Sequence, residues 1–332
     1  TEEFEKQIAQ RCGRRYGVAV NSGTQALIFA QMAALNKPPY SILIPTLSFI
    51  ATINSVLMNG HTPVFCEIDH KGLMNLDSFD YKLDKSVGAI MYVNLFGNCI
   101  DWDKFRMYTE FFNDDIIIIE DAAQSFGAYY KGTPSGKMGD VSILSFDPTK
   151  NLNNYGSGGM ILTDDFNIYE VCRNLKNNGK LRDHDVPGTN SKMSEVDCAQ
   201  MMVKLNHFDK WQRRRKEIAN YYINELYQYL DIIIPNEGVE HAWHKFVSPK
   251  CYRNGRRIPV PKDLYPEPQA YSWDYRLFDQ DWPGITEDLE RQQMWEILSD
   301  RKPQQITHEF LWEDPETAEQ DREFMSTVKE AV

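Results

Sequence analysis

The 332-residue chain has no CxxC pair and no histidine-rich stretch, and its six cysteines (Cys12, Cys66, Cys99, Cys172, Cys198, Cys251) are scattered. That spacing argues against a zinc site and against a disulfide scaffold, and it suits a reducing compartment. No run approaches the ~18 apolar residues of a membrane helix, and no signal-peptide pattern opens the sequence. A soluble cytoplasmic protein with no membrane partner and no metal is therefore expected. Positive charge is also scarce: 36 basic against 48 acidic residues leave a net charge of -12, so nucleic acid is not expected as a partner. A small anion remains compatible, because a few local donors outweigh the global field. There is no GxGxxG after the first strand-like segment, which removes the usual nicotinamide-dinucleotide signature. No internal repeat and no low-complexity tract is present.

What is there reads as a large α/β protein. Phe4, Ile8 and Cys12 fall at helical spacing, and a short apolar strand follows at 16–20. Strands are expected at 42–45, 63–67, 88–93, 116–120, 141–146 and 159–162. Helices are expected at 25–35, 50–58, 77–83 and 102–112, with two more at 195–205 and 208–230. Strand–helix–strand alternation of this kind implies βαβ units and a mostly parallel sheet flanked by helices. Ile116-Ile117-Ile118-Ile119 is apolar without alternation, as a strand covered on both faces requires. Residues 176–192 are polar and read as a long loop. Arg213-Arg214-Arg215 reads as a solvated helix face. A boundary near residue 210 divides a large domain (1–210) from a smaller one (211–332), which is poorer in strands and richer in Pro and Trp.

Three features fall at the carboxyl ends of expected strands, where open parallel sheets bind ligands. Ser22-Gly23-Thr24 opens a helix, so it is either an ordinary cap or a phosphate cradle made of free N–H groups and a glycine. Asp121 closes the Ile-rich strand and needs a partner, either a helix N-terminus or a cationic ring nitrogen. Lys150 follows the strand 141–146 after Asp147-Pro148, and either decorates a surface turn or is held neutral as a Schiff-base amine. Taken together and in this order, the three are what pyridoxal 5'-phosphate requires: a phosphate site, a ring-nitrogen partner and an amine for the aldehyde.

The motifs around them resemble the pyridoxal-phosphate-dependent sugar aminotransferases of the DegT/DnrJ type, within fold type I. The resemblance covers roughly 4–230 and rests on 19–27 (AVNSGTQAL), 45–52 (PTLSFIAT), 120–127 (EDAAQSFG), Gly139-Asp140 through Ser145-Phe146, Lys150-Asn151 and 188–193 (GTNSKM). It implies a fold type I large domain followed by a smaller, divergent C-terminal α+β domain. It also implies roles. Lys150 would hold the cofactor as an imine and then move the substrate proton, and Asp121 would pair with the pyridine nitrogen. Gln124 would lie by the ring hydroxyl. Phe49 would stack on the ring, with plain core as its alternative. Gly23, Thr24 and Ser145 would hold the phosphate, together with Asn190 from a second subunit, so a homodimer with shared active sites is expected.

The sequence also departs from the family pattern. Lys150 stands where a dehydratase branch has histidine, which favours amino transfer. Ser157 occupies a place that is usually acidic, Asn178 one that is usually histidine, and Lys192 one that is usually arginine. Lys192 keeps the charge but loses the bidentate fork. A short N-terminal segment usual in the family is expected to be missing. His241, His244 and Lys192 are candidates for substrate contact, with a structural histidine as the alternative, and Arg253, Arg256 and Arg257 suit either a diphosphate or solvent. The expected reaction moves an amino group from an amino acid, by resemblance glutamate, to a keto-sugar carried on a nucleoside diphosphate. The alternatives are a transaminase of a cyclitol or another non-nucleotide ketone, and a cofactor-binding regulatory protein without turnover.

Overall fold

A computed structural model describes residues 1–35, 40–81, 87–112, 116–180, 187–227 and 232–248, and the backbone of 252–253 and 256–257. One compact unit comprises Thr1–Tyr227 with Ile232–Pro249, and a second comprises Gln228–Asp231 with Lys250–Val332. The first unit runs α1 (Glu2–Arg11), β1 (Tyr16–Val20), α2 (Gly23–Ala34), β2 (Ser41–Pro45), α3 (Ile50–Met58) and β3 (Thr62–Cys66). It continues through β4 (Val87–Val93), α4 (Trp102–Phe112), β5 (Ile117–Asp121) and the short β6 (Tyr129–Tyr130) and β7 (Thr133–Pro134). Then come β8 (Val141–Ser145), β9 (Gly159–Thr163), α5 (Phe166–Leu175), α6 (Glu195–Leu226) and β10 (Val239–Glu240). In the second unit Tyr252–Arg253 pairs with Arg256–Arg257. The tryptophan-rich remainder of the expected small α+β domain lies outside the described residues, as do the side chains of Arg253, Arg256 and Arg257.

Seven strands form one sheet in the order β1-β9-β8-β5-β4-β2-β3. All run the same way except β9, which is antiparallel to both β1 and β8. The Ile-rich strand shows why the sequence lacks alternation there. Ile119 enters the core under α2, α3 and α5, while Ile118 enters the core under α4. β2 splits the same way, with Ile42 and Ile44 on one side and Leu43 on the other. A third apolar cluster joins α1 and α6 to the sheet through Phe4, Ile8, Leu144, Phe146, Met201 and Phe208. Burying each such side chain stabilises by roughly 1.5–3 kcal/mol before entropy is counted. No described helix is long and apolar enough to cross a membrane.

Two expected elements differ. The helices anticipated at 195–205 and 208–230 are one helix, α6, which passes residue 210 without a break. Asn206-His207 is a weak helix former but no breaker, and Phe208 is fully buried, so packing carries the helix through. The segment expected as a helix at 77–83 is a 3₁₀ turn over Leu76–Tyr81, started by Asn75, whose Oδ1 accepts the Asp77 N–H at 3.1 Å. Residues 82–83 lie outside the described ones.

The end of β5 is fixed by Glu120, which is fully buried. Its Oε1 accepts from Asn94 Nδ2 (2.9 Å), Ser135 Oγ (2.7 Å) and the Gly136 N–H (2.9 Å). Its Oε2 accepts from the Met138 N–H (3.0 Å) and Ser142 Oγ (2.8 Å). Five donors on one carboxylate pin the loop 135–142 and hence the start of β8. Glu120→Ala strands those donors in the interior, so it should cost about 3 kcal/mol or more, while Glu120→Gln should cost less. Urea unfolding of the two variants checks this, and equal midpoints would contradict the role.

Candidate active site

Lys150 sits at the last position of a hydrogen-bonded β-turn. Its N–H donates to the Asp147 carbonyl at 2.9 Å, with Pro148 at the second position. Asp147 Oδ1 accepts from the Thr149 N–H (3.0 Å) and Oγ1 (2.8 Å), which tightens the turn. Pro148 and Thr149 are exposed, so the surface-turn reading holds for them. Lys150 is not, being half-buried. Burial pushes its pKa below the ordinary 10.5, against the opposing charges of Asp121 and Asp147. A lysine shifted in that direction is a better nucleophile at neutral pH.

Asp121 ends β5, the parallel neighbour of β8, and is 4% exposed. Its Oδ2 accepts from Thr52 Oγ1 at 3.0 Å and its Oδ1 from the Ala123 N–H at 3.1 Å. Burial pushes its pKa up, while those two hydrogen bonds and the Lys150 charge pull it down. Thr52 was not foreseen as a site residue. It lies one turn after Phe49 on α3, and its hydroxyl is in turn bonded to Ser48 Oγ at 2.5 Å.

Ser22 is the N-cap of α2, its side chain accepting from the Gln25 N–H at 3.1 Å, and Gly23 begins the helix. The cap reading holds for Ser22. A Cβ on Gly23 would lie 2.8 Å from Ser145 Cβ and 3.0 Å from Ser145 Oγ. A Cβ on Gly159 would lie 2.4 Å from the Ser22 carbonyl oxygen. Glycine at both positions lets the first turn of α2, with Gly23 and Thr24, press on the ends of β8 and β9. Helix-start N–H groups, the Thr24 hydroxyl and the Ser145 hydroxyl form the donor set that a phosphate takes.

Phe49 is 67% exposed and borders a cavity of about 270 Å³ together with Ser48, Thr52 and Phe65, so it is not core. Gln124 Oε1 accepts the Phe96 N–H at 2.9 Å, holding a loop in which Phe96 adopts φ +62°. Asn190 is exposed and bridges Asn177 through the backbone. Lys192 is exposed and pairs with Val20, one residue before the cradle loop begins.

The segment 241–245 crosses behind Lys150. The Ala242 carbonyl accepts from Asn151 Nδ2 (2.7 Å) and Gln212 Nε2 (2.8 Å). Ala242 N–H and Lys245 N–H reach the Gly97 and Phe96 carbonyls at 2.8 and 3.0 Å. His244 Nδ1 meets Asn151 Oδ1 at 3.2 Å, and Asn151 Oδ1 is an acceptor here, so the imidazole carries its hydrogen on Nδ1. His241 Nδ1 accepts the Trp243 N–H at 2.8 Å, so its hydrogen is on Nε2. Burial pushes both histidines down to about 3, and the positive charge of Lys150 adds to the effect on His244. Of the substrate candidates, His244 therefore lies with Lys150 and Asn151, whereas His241 is bonded within its own turn.

Asn151, Gln212 and Arg215 were also missed. Arg213 and Arg214 are exposed as expected of a solvated face, but Arg215 is not: its NH2 donates to the Asn151 carbonyl at 3.3 Å. The signal was available in the spacing, since Phe208, Gln212, Arg215 and Ala219 share one face of a helix. Among the described residues no cluster of three or more metal-ligating side chains occurs.

Residues 1–260 match the model of the DegT/DnrJ/EryC1/StrS aminotransferase family. The chain belongs to this family. It is 32% identical over 74% of its length to a pleiotropic regulatory protein of Geobacillus stearothermophilus, covering 66% of that protein. It is 30% identical over 73% of its length to GDP-perosamine synthase of Escherichia coli O157:H7, covering 67% of that enzyme. Streptomyces venezuelae DesV, solved with a ketimine intermediate, superposes with a TM-score of 0.70 at 32% identity over 74% of this chain and 67% of that one. Bacillus subtilis NtdA, solved with bound cofactor PMP, gives 0.64 at 28% identity over 74% and 57%. The fold is thus that of the pyridoxal-phosphate aminotransferases of this family, and the chain spans about two thirds of the length of the curated relatives it matches.

Two outcomes follow from the charges. Lys150 should titrate below the ordinary lysine value in the full chain, and Asp121→Asn, which removes a charge that raises it, should move it lower still. Carbon-13 NMR of reductively methylated protein reads this, and an unchanged titration would sever the proposed coupling. His241 and His244 bind protons more weakly folded than unfolded, so stability should be full above pH 6.5 and fall as pH drops toward 3. His241→Gln or His244→Gln should flatten that slope in denaturant titrations at pH 7, 5 and 4.

Proposed function

We propose that this chain binds pyridoxal 5'-phosphate and transfers an amino group from an amino acid, glutamate in the first instance, to a nucleotide-linked keto-sugar. The observation that carries the reading is the meeting of a desolvated Lys150, a buried Asp121 and the Gly23–Ser145 close approach at one end of the sheet. The donor set fits the cofactor: a helix start with hydroxyls for the phosphate, a carboxylate with spare lone pairs for a ring nitrogen, and an amine of lowered basicity for the aldehyde. The bound cofactor supplies an electron sink for the carbon that loses its proton.

Lys150 holds the aldehyde at rest and, once released, accepts and returns the substrate proton through its Nζ. Asp121, ordered by Thr52 and Ala123, keeps the ring nitrogen protonated. Gln124, its Oε1 committed to Phe96, offers its amide N–H₂ to the ring hydroxyl. Phe49 covers one ring face, and Gly23, Thr24 and Ser145 take the phosphate together with Asn190 of the partner subunit. The exposed apolar side chains Ile50, Leu57, Met58 and Phe65 on α3 and β3 suit burial against a second copy. In this reading His244, in the same compact unit as Lys150, adds a substrate contact. Lys192, beside the cradle loop, meets an anionic part of the substrate.

Purified protein reconstituted with the cofactor should gain the near-visible absorbance of a lysine-bound pyridoxal, and glutamate should discharge it. Lys150→Ala should not gain the band, and a band retained in that variant would overturn the assignment. Discharged enzyme offered dTDP-, UDP- and GDP-linked keto-sugars should recover the band with at least one of them. Competition by the free nucleotide separates this reading from a cyclitol transaminase. The regulatory relative from Geobacillus favours a second reading, binding without turnover, and complete failure of glutamate to discharge the band would select it.

A further inference from the structure

Arg215 is a half-buried cation that makes no ion pair among the described residues. It lies on the α6 face that holds Phe208, Gln212 and Ala219, against the loop that follows Lys150. NH2 is used, donating to the Asn151 carbonyl at 3.3 Å, but NH1 is buried and meets no acceptor. One turn earlier Gln212 Nε2 is used on the Ala242 carbonyl at 2.8 Å, while Gln212 Oε1 is buried and also without a partner. None of the ion pairs among the described residues involves Arg215.

The surroundings do not supply the missing charge. Lys150, Lys245 and His244 lie in the same neighbourhood, and His244 feels the positive charge of Lys150, Lys245 and Arg215 together. The carboxylates that act on Lys150 make no ion pair with Arg215: Asp121 accepts from Thr52 and Ala123, and Asp147 from Thr149. A guanidinium does not escape by losing its proton, and an unpaired buried one is costly. Holding the Asn151 carbonyl explains NH2 but leaves NH1 unexplained. A planar fork with one unused nitrogen suits a carboxylate, and an amide oxygen beside it suits an ammonium or hydroxyl donor. An α-amino acid presents both on one carbon.

We propose that Arg215, with Gln212 beside it, is the carboxylate subsite for the amino donor, adjoining Lys150. This rests on the transaminase reading and names which substrate half the site recognises: the donor acid.

The test uses the full chain loaded with pyridoxal phosphate and succinate, a dicarboxylate with no amine to react. Succinate should raise the melting temperature of the wild type saturably. Arg215→Gln should weaken that affinity by about 30-fold, and Arg215→Lys, which keeps charge but loses the fork, by about 10-fold. The glutamate concentration giving half-maximal discharge should rise by the same factors, with the keto-sugar concentration for the return reaction unchanged. If Arg215→Gln melts before ligand is added, Arg215→Lys decides. Equal succinate affinity in all three proteins, or no stabilisation of the wild type, overturns the proposal. A parallel rise for the keto-sugar also overturns it, since that marks a loosened Lys150 loop instead. Failure of the functional reading looks different: no cofactor band forms, while succinate still distinguishes the wild type from the variants.

Discussion

The first turn of α2 presses on the ends of β8 and β9 more closely than any side chain at Gly23 or Gly159 would allow, and the site is laid out around that contact. With Ser145 paired to Gly159 across the two strands, the connecting residues 146–158 must leave the sheet at its carboxyl edge. They leave as the turn that presents Lys150. The same contact sets Thr24 and the open N–H groups of α2 beside Ser145. Two glycines far apart in the chain thus bring the start of α2 to the sheet edge from which the Lys150 turn leaves. Any Cβ at either position would push helix and hairpin apart and separate the two functions together.

Adjacent carboxylates at the end of β5 show how one strand serves structure and chemistry at once. Successive side chains of a strand point to opposite faces. Glu120 turns to the side of the loop 135–142 and is saturated by five donors, so it has nothing left to give a ligand. Asp121 turns toward α3 and accepts from only Thr52 and Ala123. The first fixes the frame within which the second is held. Among the described groups around Lys150, the cations Lys150, Lys245 and Arg215 outnumber the carboxylates Asp121 and Asp147, and both nearby histidines are neutral. Such a setting is unfavourable for the bare protein and becomes favourable when anionic groups enter, as a phosphate and a carboxylate do.

Much of this was legible in the residues. Hydrophobic periodicity located the seven strands of the main sheet within one or two residues, and the unbroken isoleucines announced a strand with two covered faces. Lys150, Asp121 and Gly23 stood out because lysines, aspartates and glycines at strand ends each demand a physical explanation. The regions that misled did so for local reasons. Asn206-His207 looked like a break because propensity is weak and Phe208 packs below it. Arg215 was taken with its two neighbours because a run of like charges hides the helical period.

Sequence alone therefore determined the α/β alternation and the family, since these depend on short-range pattern and on side-chain chemistry. Tertiary structure decided that Phe49 is exposed beside a cavity, that Thr52 orders Asp121, and that Asn151 ties the lysine turn to Ala242 and His244. It also decided that one arginine of three is half-buried, with one buried nitrogen that meets no acceptor. Period reveals which face a residue occupies. What lies across that face is set by segments tens of residues away, and only the folded chain brings them together.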